Sequence, residues 1–152
     1  MEARDNAMQE LERRLWTITT ANGFPFTVAS VVRNPDSPLS RFPCINVFEM
    51  DDEVETRLLG GNRGWYLRDL EVIIEFWREE STAGKGSLDA EEMYDAVRYA
   101  LFHEDEDLGG TCEELYEKRV SRVMHPLVGR NVVGKAITLG LRYVDARAYT
   151  KA

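Results

Sequence analysis

Residues 67–80 read LRDLEVIIEFWREE, and this stretch restricts the fold more than any other in the chain. Leu70, Val72, Ile74 and Phe76 alternate, as a half-buried strand requires, so one face of the strand belongs to a core. The opposite face reads Glu71, Ile73, Glu75, Trp77. A wet face leaves Ile73 and Trp77 as wasted apolar area, and a buried face leaves Glu71 and Glu75 in need of partners. Such a strand belongs in a sheet with one side covered by the rest of the domain and the other turned to a mixed apolar and charged environment.

The flanking segments supply the rest of that sheet. Ala7, Leu11, Leu15 and Ile18 fall at helical spacing, which predicts an amphipathic helix over 3–19 that stops near Asn22-Gly23. FTVASVV at 26–32 has strand composition, NPDSP at 34–38 is loop chemistry, and RFPCINVFEM at 41–50 predicts a second strand entered through Pro43. The acidic DDEVETRLL and the turn GGNRG at 60–64 then read as a connection, a loop over 51–64, leading to the strand at 65–79. STAGKGS at 81–87 is a small-residue linker into a second helix. Asp89 and Glu92 have the spacing of a capping box, and Leu88 and Met93 that of a hydrophobic staple. Met93, Val97, Ala100 and Leu101 form the stripe of this helix, which is predicted to end around His103. A strand over 115–124 and a closing strand over 137–147 complete the order helix, strands, helix, strands. That order predicts a single α+β domain over 1–152: a mixed, mainly antiparallel sheet with two main helices packed on one face.

With 152 residues, 43% of them hydrophobic and 30% charged, the chain is large enough to bury roughly 70% of the surface its unfolded form exposes. The sequence predicts a soluble protein, since no apolar run approaches the ~20 residues of a membrane span and the charged, helical opening residues lack the pattern of a signal peptide. Cys44 and Cys112 have neither CxxC pairing nor a suitably spaced His, so free thiols are expected. The net charge of -8 opposes nucleic-acid binding, which depends on Lys and Arg neutralising phosphates. The charge is also segregated. Residues 87–117 hold eleven Asp and Glu against Arg98 alone, and 118–152 hold eight Lys and Arg against Asp145 alone. This segregation favours pairing between segments or between neighbouring subunits.

No motif demands an enzyme. AGKGS fails as a phosphate loop because Glu79 stands where the first Gly belongs and Gly86 where Ser or Thr would hold magnesium. HEDED at 103–107 gathers carboxylates consecutively, whereas calcium loops space their ligands around a Gly turn. As a frayed helix end it calls for basic neighbours, because its carboxylates oppose the local dipole. Glu71 and Glu75 stand about 13 Å apart at strand rise, too far for a glycosidase pair. A small cytosolic binding module, or a cation-dependent enzyme built on 103–107, is the alternative to a structural role.

An N-terminal helix, the strand FPCINVFEMDDE, a Gly-containing turn, the strand DLEVIIEFW, the helix LDAEEMYDAVRYALFHED, the phrase LGGTCEEL and the final AITLGLRYVDAR follow one another over residues 7–147. This succession resembles the tail terminator and tail completion proteins of long-tailed bacteriophages. The resemblance implies a non-enzymatic virion protein, without cofactor or metal, made in the host cytoplasm and built into the tail or neck. It implies a homo-hexameric ring that caps the tail tube, stops its polymerisation and receives the head-tail connector, while DNA passes through the lumen without specific binding. Tail-tube protein and connector are then the partners, and the loop 51–64 reaches towards one of them. The interface residues expected on this reading are Glu71, Ile73, Glu75 and Trp77 on one patch and Arg57, Arg63, Arg119, Arg122 and Arg142 on its basic counterpart. Trp77→Asp is expected to leave the monomer folded and abolish the ring.

Overall fold

The computed structural model describes residues 2–36, 41–57, 65–80, 85–122 and 132–145. Helix α1 (Ala3–Trp16) is followed by a 3-10 turn (Thr20–Asn22), strands β1 (Ser30–Arg33), β2 (Cys44–Arg57) and β3 (Tyr66–Glu79), helix α2 (Gly86–Phe102), and strands β4 (Glu114–Arg122) and β5 (Val132–Asp145). The sheet runs in the order β1-β2-β3-β5-β4, parallel between β1 and β2 and antiparallel elsewhere. It is the α+β architecture expected from the sequence.

The alternation of β3 fixes the inside of the molecule. Leu70, Val72, Ile74 and Phe76 are fully buried, and the register places them beside Ile45 and Val47 of β2 and Ile137, Leu139 and Leu141 of β5. Ala7, Met8, Leu11 and Leu15 of α1 and Met93, Val97 and Leu101 of α2 join the same core, so both helices cover this one face. Several of the eleven Asp and Glu of 87–117 meet basic residues within the chain: Glu91 meets Lys135 across α2 and β5, Glu117 meets Arg98 at 3.3 Å, and Glu114 meets Arg142 at 3.2 Å.

Several boundaries differ from the sequence expectation. Helix α1 ends at Trp16, not 19, because the Thr17 hydroxyl donates to the Arg14 carbonyl at 2.6 Å and the Thr19 hydroxyl accepts from the Asn22 amide at 3.2 Å. These local bonds replace another helical turn. Phe26 and Val28 are buried as expected, but only Ser30–Arg33 form a ladder; the Val28 amide donates to the Ile18 carbonyl at 2.9 Å instead.

The acidic segment 51–57 is strand and not loop. Its carboxylates are held by distant partners: Asp52 accepts from Arg4 at 3.0 Å and from the Tyr143 hydroxyl at 2.5 Å, and Glu55 accepts from Arg142 at 2.8 Å. Register shifts between Glu49 and Asp52 and between Val54 and Thr56 accommodate the extra residues. The remaining part of the expected loop, 58–64, lies outside the described residues.

Helix α2 begins a turn before the expected cap. Lys85 is its N-cap and makes no side-chain cap bond, Asp89 is buried in the first turn, and Leu88 is 67% exposed. The capping box and the staple are therefore not made. Asp89 instead places a carboxylate near the positive end of the helix. The closing strand starts at Val132, five positions before the expected start, and the 115–124 strand is seen from Glu114 to Arg122.

Candidate subunit interface

The sheet face turned away from the helices is assembled by the odd-numbered positions of β3. Glu71, Ile73, Glu75 and Trp77 pair with Gly140, Thr138, Ala136 and Gly134 of β5, and Ile73, Glu75 and Trp77 with Phe48, Asn46 and Cys44 of β2. Tyr116 and Arg119 of β4 lie opposite Gly140 and Thr138. On this face β5 presents only small side chains between its ends, a furrow along the middle of the sheet.

Aromatic rings from both sides fill the two ends of that furrow. A Cβ on Gly134 would meet the Phe76 carbonyl and come within 2.7 Å of the Trp77 ring, and a Cβ on Gly140 would collide with the Tyr116 ring. Glycine at both positions lets the rings lie down on the strand. Tyr116 is fixed there by a short hydrogen bond from its hydroxyl to Asp69, and its pKa is pushed up to about 12 by burial and by that bond. Trp77 is consequently only 2% exposed within the chain itself and offers a neighbour almost no area. Between the rings, Phe48 and Ile73 are half-buried, and Val32 at the β1 edge is 37% exposed.

The charged members frame this apolar centre. Arg119, with 61% of its side chain exposed, stands 3.7 Å from Glu71, and Arg142 is bound to Glu55 and Glu114. The face thus unites Glu71, Ile73, Glu75, Arg119 and Arg142, with Trp77 beneath its surface. Arg57 and Arg122 lie at the ends of β2 and β4, where the backbone alone is described, and Arg63 is outside the described residues. Phe48, Tyr116 and the glycines of β5 were missed from the sequence. The run Gly134, Ala136, Thr138, Gly140 at alternate positions was their available signal.

The HEDED segment is engaged elsewhere. Arg14 is 1% exposed, donates to the Leu101 carbonyl at 2.9 Å, and places a second nitrogen 2.8 Å from Asp105. Asp105 and Asp107 also accept from the Gly109 and Gly110 amides at 3.2 and 3.0 Å. The bond from Arg14 holds the Asp105 carboxyl below the usual aspartate range. The basic neighbour that this acidic helix end calls for is thus a buried arginine from α1, which also satisfies an orphan carbonyl of α2. Among the described residues no group of three or more His, Cys, Asp and Glu is arranged to hold a metal, and no helix is long and apolar enough to cross a membrane. Cys44 and Cys112 are buried and form no disulfide, and burial raises the Cys112 thiol to about 12.

Comparison with models of known protein families and with curated sequences finds no match for the chain.

Proposed function

We propose that this chain is a structural subunit that assembles with copies of itself into a ring capping the tail tube of a long-tailed bacteriophage, ending tube growth and offering a surface to the head connector. The observation that carries the reading is the sheet face that no described helix covers. On that face Phe48, Ile73 and Val32 are partly open to solvent and framed by Glu71, Glu75 and Arg119, an apolar centre with a charged rim that suits contact with another subunit. The succession of sequence patterns over 7–147 supplies the tail context, and the net charge of -8 suits a conduit through which DNA slides without sticking.

The test is the native mass across concentration by light scattering, with negative-stain images of the large species. A six-membered ring with a central hole supports the proposal. A chain that stays monomeric at every concentration and leaves tube length unchanged when added to polymerising tail-tube protein defeats it.

A further inference from the structure

The charge segregation of the sequence is only partly taken up inside the fold. On the outer side of α2, Leu88, Glu92, Asp95 and Tyr99 follow one another at helical spacing in a single row. Glu92 is matched by Arg78 at 2.7 Å, but among the described residues Asp95 has no ion pair. A groove of about 720 Å³ runs between this row and the turn at 22–25, and none of its described lining residues is Lys or Arg. Its apolar groups stand open: Leu88 is 67% and Tyr99 59% exposed. Phe24 meets the Tyr99 ring edge-on at 5.9 Å and His103 stacks on it at 4.4 Å, so the ring is braced where it stands.

The opposite chemistry follows the last described strand. Of the eight Lys and Arg in 118–152, Arg119, Lys135 and Arg142 meet carboxylates of their own chain. After Asp145 the sequence continues ARAYTKA over 146–152, which lies outside the described residues. An extended chain of this sequence presents Arg147, Tyr149 and Lys151 on one side at intervals of about 7 Å, an aromatic ring between two cations. That is the complement of an apolar groove with a carboxylate rim.

Reach decides which copy supplies the segment. A Cβ on Gly86 would lie 2.7 Å from Val133, so the start of α2 sits on the start of β5, and Asp145 stands twelve residues, about 40 Å, further along that strand. Glu92 is only about 9 Å along α2 from Gly86, and Tyr149 extends at most about 14 Å from Asp145. A gap on the order of 10 Å remains, so Tyr149 does not reach the middle of its own groove. We propose that the α2 groove of one copy receives residues 146–152 of another, with Tyr149 between Leu88 and Tyr99 and the two cations against Asp95 and Glu92. The two surfaces differ, so the contact is heterologous: it closes into a ring or runs on as a filament. The inference names a contact for the ring proposed above, and only its closure rests on that reading.

Two charge-reversed proteins test it, Arg147→Glu/Lys151→Glu and Glu92→Lys/Asp95→Lys, each checked for native circular dichroism and weighed by sedimentation velocity. Each alone should associate at least about tenfold more weakly than the parent, because like charges then face one another. Asp95→Lys alone replaces the second protein should loss of the Arg78 pair unfold it. An equimolar mixture should recover association, since every contact in an alternating assembly is again between opposite charges. Reversals that leave the parental assembly intact, or a mixture that associates no better than its components, overturn the groove contact while the ring reading stands. Recovery on mixing without a closed ring in negative stain keeps the groove contact and defeats the ring. A parent that is monomeric at all concentrations overturns the groove contact outright.

Discussion

Arg14 shows how much one residue decides. It occupies the apolar stripe of α1 between Leu11 and Leu15, and its guanidinium ties α1 to the end of α2 and to Asp105. Because the bond from Arg14 depresses the native Asp105 pKa, the stabilisation is fully present above the unfolded aspartate value of about 3.9 and is lost as pH falls through the lower native value. Glu49 behaves likewise: burial alone would raise it, but bonds from Arg33, Asn34 and Arg4 hold it below the ordinary range. Thermal melts of Asp105→Asn should show lower stability near neutrality and a shallower loss of stability below about pH 4. An unchanged acid limb would remove Asp105 from that linkage. Gly134 is a second decisive residue. Gly134→Ala forces a methyl against the Phe76 carbonyl and the Trp77 ring and should cost about 1–3 kcal/mol in urea unfolding.

At the scale of elements, the sequence was readable wherever one periodicity dominated. Leu70 to Phe76, the α1 stripe and the Met93, Val97, Leu101 stripe all went to the core, because burial of alternate or helically spaced apolar groups leaves little choice of face. It was opaque where a distant partner decided. Asp52 and Glu55 read as loop residues, yet Tyr143 and Arg142, 91 and 87 positions away, make them strand residues. The start of α2 was opaque for another reason: a cap and a first-turn acid use the same residue type, so Asp89 alone could not distinguish them. This yields an expectation opposite to the staple's. Leu88→Ala should change unfolding free energy by less than about 0.5 kcal/mol, because Leu88 makes no core contact, whereas Met93→Ala should cost about 2–5 kcal/mol. A Leu88 variant as unstable as the Met93 variant would restore the staple.

For the whole molecule, the structure separates two residues that the sequence treated alike. Ile73 and Trp77 share the open face, but Trp77 is folded down over Gly134 and Ile73 lies half-buried at the centre. Trp77→Asp would bury a carboxylate under the sheet surface and is now expected to abolish the native circular dichroism instead of sparing the monomer. Ile73→Asp should keep the fold and weaken assembly, if that face carries subunit contacts. Salt then tells the charged rim of that face from its apolar centre. Pairs of exposed charges lose reach as the Debye length falls from about 10 Å at 0.1 M to about 3 Å at 1 M, while apolar contacts do not. Assembly held by Glu71, Glu75 and Arg119 should weaken steadily across that range in light scattering. Assembly that is indifferent to salt but lost in Ile73→Asp would place the working contact on the apolar centre formed by Phe48 and Ile73.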